Sequence, residues 1–346
     1  MDVLIDDVGS FPLPQGIDRE TYNKAYRLAR KAMTGGKDAS SDEFIRKNFY
    51  EVTINSFKKK IRAGLDVVNS PWHYDGLCQV SDVVHKAMES GTFVVDEQDA
   101  FLPEVCAIES EAKRLYEEFG KKILLRVCIY GPMEQYLKEM GTISYRDVLD
   151  GYAETIRRFA KNSIIDTKYI KTAAVSIDEP SFGFLDIADE KSVICKVLEK
   201  AFDFTGTVRQ IHLHSSVRLA DLLGVRNIDV LSFEYAASPR NIEGVSKRML
   251  DSSGKQLRVG ISRTDIGSIT AELYDRGIAD PTAEQLVETE DAIKKRYLSA
   301  KEKYSDTMTF TGPDCGLGGW PSQESAELLL KRTVNAFHAA EKPACC

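Results

Sequence analysis

The sequence predicts an α/β protein of the (β/α)8 TIM-barrel class, and three observations lead there. Eight short β-like runs recur along the 346 residues, helical stretches separate them, and several runs are almost continuously apolar. Continuous apolarity is the mark of strands covered on both faces, as in a parallel sheet. Regular strand–helix alternation makes that sheet parallel, and eight repeats favour a closed barrel over an open sheet. No linker rich in Pro, Gly or Ser and no internal repeat breaks the pattern. The expectation is therefore one catalytic barrel over 1–346, with an insertion around 12–50 after the first strand.

The predicted strands are 2–8, 65–69, 123–129, 173–178, 208–214, 229–234, 257–262 and 307–312. The third, Ile123-Leu124-Leu125-Arg126-Val127-Cys128-Ile129, shows the buried-strand pattern best. Segment 12–50 is long and polar, and 91–120 reads as a second irregular zone. Near the end, Thr282-Ala283-Glu284-Gln285 has the form of a capping box, predicting a helix that carries Leu286, Ile293 and Tyr297 on one face. Pro321-Ser322-Gln323-Glu324 starts another helix, running through Leu328, Leu329 and Phe337.

Composition narrows the function. With 43% hydrophobic and 29% charged residues the chain can bury a sizeable core. A net charge of −7 argues against a nucleic-acid footprint. Lys58-Lys59-Lys60 is the one basic cluster and reads as a solvated helix face. The longest apolar runs are strand-sized, so no membrane span is expected, and Met1–Asp7 lacks the charge pattern of a secretory signal. Seven cysteines without regular spacing point to a reducing, cytoplasmic location with free thiols. Cys345 and Cys346 read as tail residues.

Barrel active sites gather at the C-terminal ends of the strands, and the reactive residues of this chain fall there. The ends read Gly9-Ser10-Phe11-Pro12, Ser70-Pro71-Trp72-His73, Ile177-Asp178-Glu179-Pro180, His212-Leu213-His214, Glu234, Arg263-Thr264-Asp265 and Asp314-Cys315-Gly316. Cysteine, histidine and glutamate on neighbouring strand ends are the ligand types zinc uses to hold and activate a thiol. Each has a plainer reading. A lone histidine is more often structural; Ser216 suits the N-cap of a helix through Val217-Arg218-Leu219; Glu179 suits a strand end; Cys78, Cys106 and Cys195 suit the core. Gly316-Leu317-Gly318-Gly319 lacks the lysine and spacing of a phosphate loop and reads as a tight turn that presents Cys315. His212 shares the strand face of His214 and suits a supporting place beside the ligands or the substrate.

The runs Gly9-Ser10-Phe11-Pro12, Ile177-Asp178-Glu179-Pro180, Ile211-His212-Leu213-His214 and Pro313-Asp314-Cys315-Gly316-Leu317, in that order, resemble the signature runs of the cobalamin-independent methionine synthase family. They span nearly the whole chain. Full-length members have two barrels; the resemblance is to the catalytic C-terminal one, and so to the short core proteins. It implies Zn²⁺ held by His, Cys, Glu and Cys, and methyl transfer to the thiol of homocysteine to give methionine. It assigns His214, Glu234 and Cys315 to three ligand positions and puts Ser216 where the family has cysteine. Serine is not an ordinary zinc ligand. Three outcomes stay open: three protein ligands and a water, a substitute cysteine such as Cys128 or Cys78, or a weakened site with a changed or lost metal.

The resemblance also implies that Asp178 accepts the amino group of the thiol substrate and that Ser10 holds its carboxylate. The acidic residue usual after the second strand is absent, and Asp75 is a candidate substitute. Gly260-Ile261-Ser262-Arg263-Thr264-Asp265 also departs from the family pattern. The implied methyl donor is methyl-folate or a methylcorrinoid. A corrinoid would come from a partner protein, since the chain has no Asp-x-His-x-x-Gly run. Two rivals remain: a zinc-dependent alkyltransferase or lyase acting on another thiol such as coenzyme M, and a non-catalytic binding protein with a degenerate metal site.

Overall fold

The computed structural model describes residues 2–342. Eight parallel strands form a single sheet: β1 (Leu4–Ile5), β2 (Val67–Asn69), β3 (Ile123–Tyr130), β4 (Ile170–Asp178), β5 (Val208–Leu213), β6 (Val230–Phe233), β7 (Gln256–Ser262) and β8 (Met308–Pro313). The order runs β1-β8-β7-β6-β5-β4-β3-β2. An Asp6–Val67 bridge spans the remaining gap between the first two strands and nearly closes the barrel. Every predicted strand is present, the first reduced to two residues. Cys345 and Cys346 lie outside the described residues.

Strand alternation builds two environments from one sequence. On β3, Ile123, Leu125, Val127 and Ile129 join the main core between sheet and helices. Leu124, Arg126, Cys128 and Tyr130 take the other face, into the lumen. The lumen is layered. Val67, Val230 and Phe310, with Leu4, Leu124 and Val208, pack its N-terminal end. Above them Asp6 meets two guanidinium groups, Arg126 Nη1 at 3.2 Å and Arg258 Nε at 2.6 Å, all three fully buried. Higher still are His212 and Cys128, and the C-terminal mouth follows.

Three expectations need correction, and the 12–50 segment gains detail. Lys60 is not on a solvated face. It is fully buried, 2.6 Å from Asp7 Oδ2, and donates to the carbonyls of Gly9 and Asn69. Segment 12–50 contains a helix, Arg19–Thr34, capped by Asp18, whose Tyr22 and Tyr26 share a small core with Phe49. Zone 91–120 holds two short helices, Pro103–Ser110 and Ala112–Phe119, each too brief for periodicity to reveal. The Thr282 capping box is real, but its helix stops at Leu286 and another runs over Glu290–Tyr304 from a Thr289 cap. Between them Val287 is extended, and the Glu288 carboxylate is drawn to Arg296 and the Arg263 amide. Tertiary charge pairing breaks what sequence reads as one helix.

Candidate functional site

Four side chains converge at the C-terminal mouth. The ligand atoms of His212, His214, Glu234 and Cys315 all lie within 4.8 Å of one another. His212 faces inward from β5, and His214 follows one residue past its end; Glu234 directly follows β6, and Cys315 sits on the turn after β8. His214 Nε2 lies 3.5 Å from Glu234 Oε1 and 3.4 Å from Cys315 Sγ. His212 Nδ1 pairs with Ser232 Oγ at 3.1 Å, whereas its Nε2 is buried with no partner among the described residues.

Protonation chemistry marks this as a place for a cation. Burial, with Asp314 and Asp265 adding negative charge, pushes the Glu234 carboxyl up to about 8. Burial, with Glu234 next, pushes the Cys315 thiol up to about 12. Burial holds both His212 and His214 below the ordinary imidazole value, so both are neutral ligands at neutral pH. Two imidazoles, a carboxylate and a thiolate form a donor set that suits zinc. An orphaned imidazole nitrogen directed into the set supports the same reading.

Ser216, the doubtful fourth position, is not among the clustered side chains. Ser216 donates through its backbone N–H (3.1 Å) and its hydroxyl (3.4 Å) to Asn241 Oδ1, and its side chain is packed over Gly244. Nor is it an N-cap: the short helix Leu219–Leu222 has Arg218 at that position, and only the Ser216 carbonyl takes part, accepting from Leu219 N–H. The substitute cysteines fail too. Cys128 is buried beside Val8 and Trp72, with its thiol on Asp178, and Cys78 sits on the helix Gly76–Met88. His212, two residues before His214 on β5, is the fourth member of the cluster instead. Alternation of His212 and His214 was the signal available in the sequence.

Two of the remaining expected residues border a cavity, and Asp178 is not among its lining residues. Ser10 and Asp75 border a cavity of about 450 Å³ together with Arg19, Trp72 and Tyr130. Ser10 is locked to the Cys315 turn: its carbonyl accepts from Leu317 N–H at 2.7 Å and its Oγ from Gly318 N–H at 3.0 Å. Asp75 caps the helix Gly76–Met88, accepting from Leu77 and Cys78 N–H at 3.0 Å each. Asp178 ends β4, accepts from Ser176 Oγ at 2.5 Å, and is pushed by burial up to about 6. Glu179 has the structural place expected of it, receiving the amides of Met133 and Glu134. Trp72 holds a left-handed backbone, φ 44°, a strained choice for a bulky residue.

No family model matches the chain, and no curated protein matches it. Solved structures do. A B12-independent methionine synthase from Shewanella sp. W3-18-1, in complex with selenomethionine, superposes with a TM-score of 0.56 at 14% identity, covering 97% of both chains. A putative vitamin-B12-independent methionine synthase from Listeria monocytogenes gives 0.58 at 18% identity, over 99% of this chain and 100% of the other. The fold is that of the B12-independent methionine synthase-like proteins. Both matches are single chains of nearly the same extent, in keeping with the short core architecture. At these identities the likeness concerns the fold; chemistry has to come from the site. Among the described residues no helix is long and apolar enough to cross a membrane.

Proposed function

We propose that this protein is a metal-dependent thiol methyltransferase, with zinc held by His212, His214, Glu234 and Cys315 and homocysteine as the first acceptor to test. The convergence of four donor atoms within 4.8 Å at the mouth of this barrel carries the reading. Bound zinc would lower the pKa of an acceptor thiol that joins these four donors or displaces one of them, so that a thiolate is available at neutral pH. Two neutral imidazoles, one thiolate and one carboxylate leave a divalent ion formally neutral.

The chain's own groups would position the acceptor. Ser10, fixed on the Cys315 turn, offers a hydroxyl proton to an acceptor carboxylate beside the cluster. Asp178 would face an ammonium group, and Asp75 borders the cavity that Ser10 lines. The donor, methyl-folate or a methylcorrinoid carried by a partner, would approach over the open mouth. A reducing, cytoplasmic setting would keep the Cys315 thiol available.

One observation favours a second acceptor class. Asp75 already serves two helix amides and Asp178 already accepts from Ser176, while the cavity carries the Arg19 cation. A thiol with an oxyanion and no amino group would suit that balance.

The deciding experiment is the metal content of protein purified without added metal, then the absorption of the Co²⁺ form on adding homocysteine. About one zinc per chain and a new thiolate-to-cobalt band are expected. Absence of zinc even after reconstitution would return the protein to a non-catalytic binding role. A band with a mercapto-sulfonate but none with homocysteine would select the second acceptor class.

A further inference from the structure

We infer that Asn241 and Asp314 are positioning residues that hold the ends of β5, β6 and β8 in the geometry of the four-residue cluster. The inference rests on the metal reading above and concerns residues that donate no ligand themselves.

The sheet cannot hold these residues unaided. Pairing of β5 with β6 ends at Leu213 and Phe233, one residue short of His214 and Glu234. Beyond that point the two chains part, and the relative placement of the two side chains needs another tie. Asn241 supplies it. It lies on the short turn Pro239–Gly244, buried, and its Nδ2 donates to the carbonyls of both His214 and Glu234 at 2.8 Å. One amide group thereby replaces the missing rung of the ladder. Its Oδ1 accepts from Ser216 N–H at 3.1 Å, which also fixes the chain leaving His214.

Asp314 makes the second tie. Immediately before Cys315 and fully buried, it accepts through Oδ1 from Tyr235 and Ala236 N–H at 2.9 and 3.0 Å, and through Oδ2 from Ala237 N–H at 2.6 Å. Those three amides follow Glu234 in sequence. A single carboxylate therefore joins the Cys315 turn to the Glu234 loop with charge-assisted bonds. Gly260 on β7 makes room for it, since a Cβ there would stand 2.1 Å from Asp314 Oδ1. Cys315 N–H is itself tied to Thr264 Oγ1 at 3.1 Å. His212 needs no such device, because it lies within the β5 ladder and bonds Ser232.

The consequence is a preorganised site in which Asn241 fixes the His214–Glu234 pair and Asp314 fixes the Glu234–Cys315 pair. Supporting groups of this kind usually change metal affinity about 10–100-fold. The test uses full-length wild type, Asn241→Ala, Asn241→Leu and Asp314→Asn. Zinc affinity is measured by competition with a chromophoric chelator, and the visible spectrum of each Co²⁺ form and the thermal melt without metal are recorded. Zinc affinity should fall about 10–100-fold, with a shifted or weakened cobalt d–d spectrum. A lower melt accompanied by wild-type affinity and a wild-type cobalt spectrum would mean a merely structural role and overturn the inference. If Asp314→Asn does not fold, the two Asn241 variants decide by the same criterion. Failure of the wild type to bind either metal would sink the metal reading and this inference with it, whereas unchanged variants beside a metal-binding wild type would sink this inference alone.

Discussion

The protonation state of the cluster makes a quantitative prediction about metal binding. Glu234 is pushed up to about 8 and Cys315 to about 12, so in metal-free protein near pH 7 both carry protons. His212 and His214, held below the ordinary value, are already neutral. A divalent ion entering this set must therefore displace two protons. Between about pH 6.5 and 7.5 zinc affinity should rise about 100-fold per pH unit, some ~2.7 kcal/mol. Above about pH 8.5, where Glu234 has ionised, only the Cys315 proton remains and the rise should drop to about tenfold per unit. Chelator competition at half-unit steps, corrected for the chelator's own titration, gives the slope. Calorimetry in buffers of different ionisation enthalpy counts the protons independently. In Glu234→Gln the lower-pH slope should be one. A wild-type slope of one near pH 7 would refute the argument that burial and the Asp314 and Asp265 charges keep Glu234 protonated. A slope of zero would remove Cys315 from the ligand set.

Other predictions follow from the same contacts. Cys315→Ala and His212→Ala should each lose stoichiometric zinc by elemental analysis, while Ser216→Ala should shift zinc affinity less than about threefold, since Ser216 bonds only Asn241 and the backbone; a large loss in Ser216→Ala would restore it as a ligand. Metal-free stability should fall as pH rises from about 6.5 through 8, because Glu234 (about 8) keeps a proton in the folded state that the unfolded chain has released, whereas at lower pH the neutral His73, His212 and His214 oppose the protons kept by Asp178 and Asp314. Urea midpoints that rise over this range would contradict it. Arg258→Met should cost about 3–5 kcal/mol in urea unfolding by leaving the fully buried Asp6 with one partner fewer; a loss under about 1 kcal/mol would show that the lumen relaxes around the gap. Asp178→Ala should raise the concentration of homocysteine needed to generate the cobalt–thiolate band and leave that for a mercapto-sulfonate unchanged; equal effects on both would deny Asp178 a role at the amino group.

The barrel was legible because its determinants are local. A short, largely apolar run such as Ile123–Ile129 suits a strand covered on both faces, and the eight runs stand at the spacing that a crossover helix requires. The interruptions in those runs were equally visible: Arg126 and Arg258 sit at lumen positions, and a charge there signals a polar barrel interior. The signal was present, but its partner was not. Asp6 lies 120 residues from Arg126 and 252 from Arg258, and no spacing rule links them. Lys60 misled for the same reason, since a lysine cluster on a helix is exposed unless the fold brings a buried carboxylate to it.

The sequence by itself determined the strands, the parallel alternation and the residue types presented at the barrel mouth, His214, Glu234 and Cys315 among them, because backbone period and side-chain chemistry act over a few residues. Tertiary structure alone decided which of those residues meet. It set His212 and not Ser216 beside the other three, since strand alternation turns position 212 into the lumen while the chain after His214 bends away to Asn241. It also gave Asp314 the amides after Glu234 to hold, a contact between residues nearly eighty apart in sequence. Convergence in space depends on closure of the whole sheet, and closure is a property of all eight strands together.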